Sequence, residues 1–518
     1  MVSKVNSIGM FGMKSFMVEV EADISMGKSK FDLVGLPDTA VSESRERVQA
    51  AVKNSGHSFP NVHITVNLAP ADIKKEGSVY DLPIFIAILV AARQLFCRLD
   101  DCAFIGELSL SGDVRPVNGV LPMVIEARGN GIKRVYVPAD NACEGAVVDG
   151  IEVYPVKNVK QLLTHLTRKP SDETPDVLTP APKTLFVPEE VEYPLDFSDV
   201  KGQKNAKRAL EVAAAGGHNF LMIGPPGSGK SMLAKRIPTI LPYMSFEESL
   251  ETTKIYSIAG ALKKDEGLVR TRPFRSPHHT VSAPGLSGGG AVPKPGELSL
   301  AHNGVLFLDE MPEFTRSAME VMRQPIEDGR ITISRVAGTL TFPCSVMLVC
   351  AMNPCPCGYL GHPTKKCTCT PQAAQKYLTK VSGPLLDRID IQIEVPPVEF
   401  SALSGEGEAE ETSAQIKARV DKARAVQQER FRGTGVSCNA RMTAAMVKEY
   451  CVMDEKAKKM LKGVFDKLGL SARAYDKILK VARTAADLEG SDIITTAHIS
   501  EAIRYRNLDR KIYSNNGV

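Results

Sequence analysis

No apolar run in this 518-residue chain approaches the roughly 20 residues needed to cross a bilayer. The opening residues, Met1-Val2-Ser3-Lys4-Val5-Asn6, lack the hydrophobic stretch of a secretory leader. On those absences a cytoplasmic protein with no membrane partner is expected. Charge of one sign is also missing. Lys and Arg number 64 against 60 Asp and Glu, a net +4. No global field draws such a chain to nucleic acid, so any contact of that kind needs a local basic patch. Hydrophobic content of 43% and charged content of 24% are ordinary for a globular protein. The length exceeds what one core supports, so about two to four domains are expected. Eleven cysteines without a leader read as reduced thiols, and as metal ligands where they cluster.

What is present centres on Gly224-Pro225-Pro226-Gly227-Ser228-Gly229-Lys230-Ser231, which fits G-x-x-x-x-G-K-[ST] without mismatch. An apolar run, 218–223, precedes it, and a helix-like run, 232–237, follows. Strand, glycine loop and helix form the context this phosphate-binding motif requires. Glycines let backbone N–H groups curl around phosphate oxygens, and the helix N-terminus adds positive potential. The expected ligands are ATP and Mg²⁺, with Lys230 on the β- and γ-phosphates and Ser231 on the metal. Downstream, Val305-Leu306-Phe307-Leu308 ends in Asp309-Glu310. Asp309 is expected to hold Mg²⁺, directly or through water, and Glu310 to polarise the attacking water.

Residues 1–165 alternate strand-like and helix-like segments. Strands are expected over 16–22, 62–68 and 134–138, and helices over 41–53 and 82–95. The stretches 106–120, 132–138 and Lys75-Glu76-Gly77 resemble the proteolytic domain of Lon protease. Lon uses a Ser–Lys dyad. Here the serine position falls at about Val79 and the lysine position at about Leu121. Neither side chain can attack a carbonyl or take a proton. Ser78 is adjacent but has no lysine at the matching place. A Lon-like fold without peptidase chemistry is therefore expected. Residues 166–195 are polar and punctuated by proline, and read as an extended linker that buries little.

Further motifs resemble those of AAA+ ATPases. Asp199-Val200-Lys201-Gly202-Gln203 resembles the entry motif beside the adenine, which implies nucleotide contacts from Gly202 and Gln203. A third apolar strand, 345–352, ends in Asn353, the place of sensor 1, which orients the water. Between the acidic strand and this one, Arg330-Ile331-Thr332-Ile333-Ser334-Arg335 and Thr339-Leu340-Thr341-Phe342 flank Ala337-Gly338 as a β-hairpin. Its placement resembles the hairpin before sensor 1 in the branch that includes MCM helicases and magnesium chelatase, where it points into a ring's pore. Arg330 and Arg335 would then touch a phosphate backbone or form salt bridges between subunits.

Cys355-Pro356-Cys357 and Cys367-Thr368-Cys369 form a C-x-C-x₉-C-x-C array. Four convergent thiolates suit Zn²⁺. The pairs are tighter than the usual spacing, and the alternatives are four free thiols or His362 in place of one ligand. Arg388, in Gly383-Pro384-Leu385-Leu386-Asp387-Arg388, stands where the same branch carries an arginine finger for a neighbour's γ-phosphate. Arg473 matches the sensor 2 position, acting in cis or in trans. His278-His279 lies in a proline-rich stretch with no nearby acid in sequence, and reads as a surface loop.

Together these motifs resemble the YifB/ComM family of magnesium-chelatase-like AAA+ ATPases over nearly the whole chain. The implied fold class is α/β multidomain. It comprises a Lon-like α+β domain (1–165), the linker (166–195) and a parallel-sheet AAA+ core (196–400) with a cysteine insert at 355–369. An acidic, flexible loop (401–412) and an all-α lid (413–518) follow. The resemblance implies an ATP-driven homo-hexamer acting on branched or duplex DNA, by branch migration or helicase-type translocation. Two other classes stay open: a magnesium-chelatase-type motor subunit and a protein-remodelling ATPase. The Lon-like domain, expected to be absent from chelatase motors, argues against the first of these.

Overall fold

The computed structural model describes residues 2–168, 177–187, 193–290, 293–335, 338–398, 410–468 and 471–506. Its N-terminal domain is Lon-like and built on a mixed seven-stranded sheet. The strands are β1 (Ser3–Phe11), β2 (Lys14–Ser25), β3 (Lys30–Val34), β4 (His63–Ala69), β5 (Cys102–Phe104), β6 (Arg134–Pro138) and β7 (Glu152–Val156), in spatial order β3-β4-β2-β1-β5-β6-β7. The alternation seen over 16–22 is that of β2, where Val18, Val20 and Ala22 are buried. Helix α1 (Ser44–Asn54) turns Val48, Ala51 and Val52 inward. Helix α2 (Asp81–Ala91) is buried on nearly every side, which explains a continuous apolar run rather than a stripe. Asp81 opens it with no exposed side chain, held by Arg47 Nε at 2.6 Å and by the Leu108 N–H at 3.1 Å. Breaking a buried pair of this kind costs about 3–5 kcal/mol, so it fixes α1 against α2.

The dyad positions are apolar and buried: Val79 is 7% exposed and Leu121, on α3 (Val120–Gly129), 0%. Ser78 donates to Glu107 instead. After α4 (Val159–Thr167), residues 177–187 run without helix or strand and are mostly exposed, but they touch the folded protein at a few points. Leu178 is buried, the Ala181 N–H donates to Val153 O at 2.7 Å, and Phe186 meets Phe246 edge-on. Leu178, Ala181 and Phe186 find hydrophobic surface within reach, while Leu185 and Val187 stay exposed. The rest of that stretch, 169–176 and 188–192, lies outside the described residues.

The ATPase core carries β8 (Phe220–Ile223), β9 (Phe274–Arg275), β10 (Val305–Leu308), the hairpin strands β11 (Arg330–Arg335) and β12 (Gly338–Pro343), then β13 (Met347–Met352) and β14 (Ile391–Glu394). Five of these form a parallel sheet in the order β9-β10-β13-β8-β14. Helices α5 (Lys204–Gly216), α6 (Lys230–Arg236) and α7 (Phe246–Ala259) belong to the same unit. The hairpin pairs from Arg330↔Pro343 to Arg335↔Gly338, and its turn, 336–337, lies outside the described residues. Ile331, Ile333, Leu340 and Phe342 form its buried face. That face meets the turn between β1 and β2: a Cβ added at Gly12 would sit 2.6 Å from a Leu340 methyl. The hairpin is thus braced by the N-terminal domain. A second junction joins α7 to α3. The Gly119 N–H donates to Ser257 O at 3.0 Å, and Ser257 Oγ donates to Glu144 at 2.5 Å. Burial pushes the Glu144 carboxyl up, and the donors Ser257, Asn141 and Leu121 oppose that shift.

The lid consists chiefly of α8 (Ser413–Arg430), α9 (Glu455–Leu468), α10 (Ala472–Glu489) and α11 (Thr496–Arg504). The acidic stretch before it was expected to be flexible. Residues 401–409 lie outside the described residues, but Glu410 and Glu411 are held. Glu410 pairs with Lys207 at 2.5 Å and Glu411 with Arg419 at 2.8 Å, because α5 and α8 place cations directly opposite. Lid and core are tied at Asp390, which lies 2.8 Å from Lys477 Nζ on α10 and accepts the Asn219 N–H at 3.0 Å. Burial alone would raise the Asp390 carboxyl, but Lys477 and His218 beside it hold it well below the usual carboxylate range. No helix among the described residues is long and apolar enough to cross a membrane.

Candidate active site

The glycine loop joins β8 to α6, as the motif demands. Gly227 and Gly229 have φ of 78° and 89°, a region that favours glycine, and nothing lies within 4 Å of where a Cβ would stand. Gly224 is required for another reason: a Cβ there would come 2.3 Å from the Val395 carbonyl. Ser228 is buried within the loop, while Pro226 packs against Gly358. Lys230 opens α6. Its Nζ donates to the carbonyls of Gly224 at 2.8 Å and Pro225 at 2.9 Å, and to Asn353 Oδ1 at 3.3 Å. Burial lowers its pKa, and Asp309 and Glu310 push it back up. A desolvated ammonium beside a glycine loop with open space at Gly227 and Gly229 is suited to a polyanion.

Sheet order places the other groups. Strand β13 lies between β8 and β10, so Asn353, after β13, stands between the loop and the acidic tip of β10. Ser231 Oγ donates to Asp309 Oδ2 at 2.6 Å. These two hard oxygens are the pair that could hold Mg²⁺. Glu310 adopts φ 50°, uncommon for a residue with a side chain, and this turn leaves its carboxylate half exposed at the mouth. His279 Nδ1 lies 3.7 Å from Glu310 Oε2, and its ring meets Phe314 edge-on. The absence of a nearby acid, inferred from chain position, is corrected here. β9 neighbours β10 in the sheet, so the segment after β9 reaches the tip of β10. Gln203, at φ 56°, donates to the carbonyls of Pro396 at 2.7 Å and Ser228 at 3.4 Å, and the Gly202 N–H donates to Glu410 at 2.6 Å. The segment before α5 is thereby hooked onto the loop.

Beyond Asn353 the sulfurs of Cys355, Cys357, Cys367 and Cys369 all lie within 4.8 Å of one another. The separations 355–357, 355–367 and 357–367 are 3.4, 3.7 and 3.6 Å. Four thiolates about 2.3 Å from a tetrahedral zinc stand about 3.8 Å apart, so the spacing of this donor set suits zinc. The Cys357 N–H already donates to Cys369 Sγ at 3.4 Å. His362 turns to other partners. Its Nδ1 accepts from the Lys365 N–H at 3.0 Å, and its ring meets Tyr359 edge-on.

Arg388 and Arg473 gather around Glu327, a residue that sequence spacing did not single out. Arg330 is exposed at the start of the hairpin, and the Arg335 side chain lies outside the described residues.

Family models agree with this layout. Residues 196–403 match magnesium chelatase, subunit ChlI; 20–141 match subunit ChlI of Mg-chelatase; 410–506 match the C-terminal model of the same subunit. Over 511 residues the chain is 43% identical to the uncharacterized protein YifB of Escherichia coli, covering 98% of each. It is 42% identical over 508 residues to the competence protein ComM of Haemophilus influenzae, 98% of this chain and 97% of that one. A shorter likeness, 26% over 192 residues, is to Lon protease 2 of Bacillus subtilis, 33% of this chain and 34% of that protease. The chelatase name on the model matched over 20–141 removes the argument that an N-terminal domain sets this chain apart from chelatase subunits.

Proposed function

The chain belongs to the YifB/ComM family of magnesium-chelatase-like AAA+ ATPases, and we propose that it is an ATP-driven ring motor that moves branched or duplex DNA in the reducing cytoplasm. The convergence of Lys230, Ser231, Asp309 and Asn353 on the tips of adjacent parallel strands supports the motor half. Lys230 and the loop N–H groups hold the β- and γ-phosphates. Ser231 and Asp309 hold Mg²⁺, which would offset the phosphate charge. Asn353 orients the water, and Glu310 takes its proton. In a homo-hexamer Arg388 completes a neighbour's site. The likeness to a competence protein over nearly its full length supports the DNA half. The exposed Arg330, with Arg335 at the far end of the same strand, supplies the grip. Protein remodelling is the second reading, because the Lon-like domain braces the hairpin at Gly12.

The discriminating experiment compares ATP turnover with a synthetic four-way junction, single-stranded DNA and an unfolded protein. Stimulation by the junction is expected; stimulation by unfolded protein alone overturns the DNA reading. Binding should weaken steeply with salt, with a logarithmic slope of about −0.9 per phosphate neutralised on duplex. Arg330→Ala and Arg335→Ala should weaken it about equally across sequences while basal ATP turnover persists. A variant that moves the junction as well as the parent does would remove the hairpin from the grip.

We also assign Zn²⁺ to the four cysteines, with Cys355, Cys357, Cys367 and Cys369 as ligands. Elemental analysis of protein prepared without chelator should find about one zinc per chain. A Cys367→Ser/Cys369→Ser variant should lose it. Metal-free parent protein would leave a cluster of reduced thiols.

A further inference from the structure

The two arginines read as acting on ATP share a carboxylate of their own chain. Arg388 Nη2 donates to Glu327 Oε2, and its Nη1 donates to the Pro384 carbonyl at 2.7 Å. Arg473 Nη2 lies 3.8 Å from the other oxygen of Glu327. The Arg388 side chain is only 17% exposed, against 49% for Glu327 and 68% for Arg473. A finger in this state is tucked against its own subunit. The N–H that meets Glu327 cannot meet a phosphate at the same time. Both bonds are charge-assisted, so phosphate and carboxylate compete for one donor group.

Glu327 also has a telling place in the chain. It sits at the end of the short helix Arg323–Asp328; Gly329 follows at φ 66°, and Arg330 opens β11. Arg441, from the lid, crosses the same junction, donating to Ile326 O at 3.3 Å and Val346 O at 3.1 Å. The carboxylate holding the finger thus lies three residues from the hairpin, with a glycine between.

We propose that Glu327 is a positioning residue that withholds Arg388 and Arg473 from nucleotide, and that its release, when a neighbour's phosphate takes its place, carries nucleotide state into the hairpin β11–β12. The proposal rests on the reading of Arg388 as a finger acting in trans. Engagement then has a defined order. The ring closes, the γ-phosphate displaces Glu327 from Arg388, and the freed Glu327 segment shifts the hairpin root about Gly329. The same carboxylate restrains hydrolysis in subunits whose neighbour is empty.

The test measures ATP turnover per subunit without DNA, across protein concentration, for the parent, Glu327→Gln, Glu327→Asp, Arg388→Ala and the Glu327→Gln/Arg388→Ala double variant. Glu327→Gln should raise the plateau about three- to fivefold, the scale of one partly exposed ion pair removed. Glu327→Asp should stay near the parent. The double variant should fall to the level of Arg388→Ala, because the gain needs the arginine. Parent-like turnover in a stably folded Glu327→Gln beside an inactive Arg388→Ala overturns the proposal alone, as does a gain that survives in the double variant. Parent-like turnover in Arg388→Ala overturns the finger reading and this proposal with it. A measurement that does not depend on the Glu327 variants is amide exchange over residues 330–343. A slowly hydrolysed ATP analogue should change it in the assembled parent and leave it unchanged in Arg388→Ala. An equal response in both overturns the coupling.

Discussion

Glu310→Gln is expected to bind ATP as tightly as the parent and to hydrolyse it at least about a hundredfold more slowly, the usual scale for a lost general base. The reason is a division of labour at the tip of β10. Asp309 is the carboxylate bonded to Ser231, so the metal pair survives the change. Glu310 is turned away from that pair by its left-handed backbone and faces the open mouth, with His279 as its neighbour. An amide of the same shape keeps the fold but cannot accept a proton. Lys230→Ala is the contrasting reference. It removes the ammonium that bridges the loop carbonyls and Asn353, so binding itself should fail. Fluorescent-nucleotide titration and phosphate release, run on the same preparations, separate the two. Parent-level turnover in the Glu310 variant would take water activation away from this residue.

The parts of this site that the sequence made legible are those set by local geometry. Gly227 and Gly229 announce positive φ, a four-residue apolar run announces a buried strand, and two acids at the end of another announce a carboxylate tip. The hairpin could be read for the same reason, since Ile331, Ile333, Leu340 and Phe342 alternate with Thr and Ser. What covers that apolar face could not be read. The Gly12 turn is more than three hundred positions away, and no periodicity records the meeting.

His279 illustrates the wider limit. In a parallel sheet, consecutive strands are joined by crossovers, so chain distance says little about which tips adjoin. Only the order β9-β10-β13-β8-β14 shows that the segment after β9 faces Glu310. Glu327 escaped for a related reason. An acid near the end of a short helix reads as solvated surface until the fold sets Arg388 and Arg473 beside it. In the stretches read as linker and acidic loop, single contacts were what the sequence did not show. Composition described their average polarity, while single residues, Leu178 in one and Glu410 in the other, found specific partners.

Arg388→Ala is expected to leave ATP binding per subunit intact and to lower turnover on the order of 10³-fold, the lower range measured for arginine fingers in GTPases. Binding should survive because Arg388 contacts Glu327 and Pro384 in its own chain, not the loop or Lys230. The fold should survive as well. The change takes one donor from the exposed Pro384 carbonyl and leaves Glu327, which is 49% exposed, with Arg473 beside it, and an ion pair of that exposure contributes less than about 1 kcal/mol. An unchanged thermal midpoint therefore accompanies the expected collapse, and separates loss of a finger from loss of structure. Mixing supplies the decisive measurement. Neither Arg388→Ala nor Lys230→Ala rings should hydrolyse ATP alone. Where an Arg388→Ala subunit's intact loop faces a Lys230→Ala subunit's intact arginine, one working site is rebuilt. In an equal mixture of head-to-tail rings that is about a quarter of interfaces, so recovery should peak near equal proportions and fall away on both sides. Recovery with that shape places Arg388 in trans. Turnover that stays absent at every ratio, with assembly verified by mass, would leave Arg388 as the buried partner of Glu327 and nothing more.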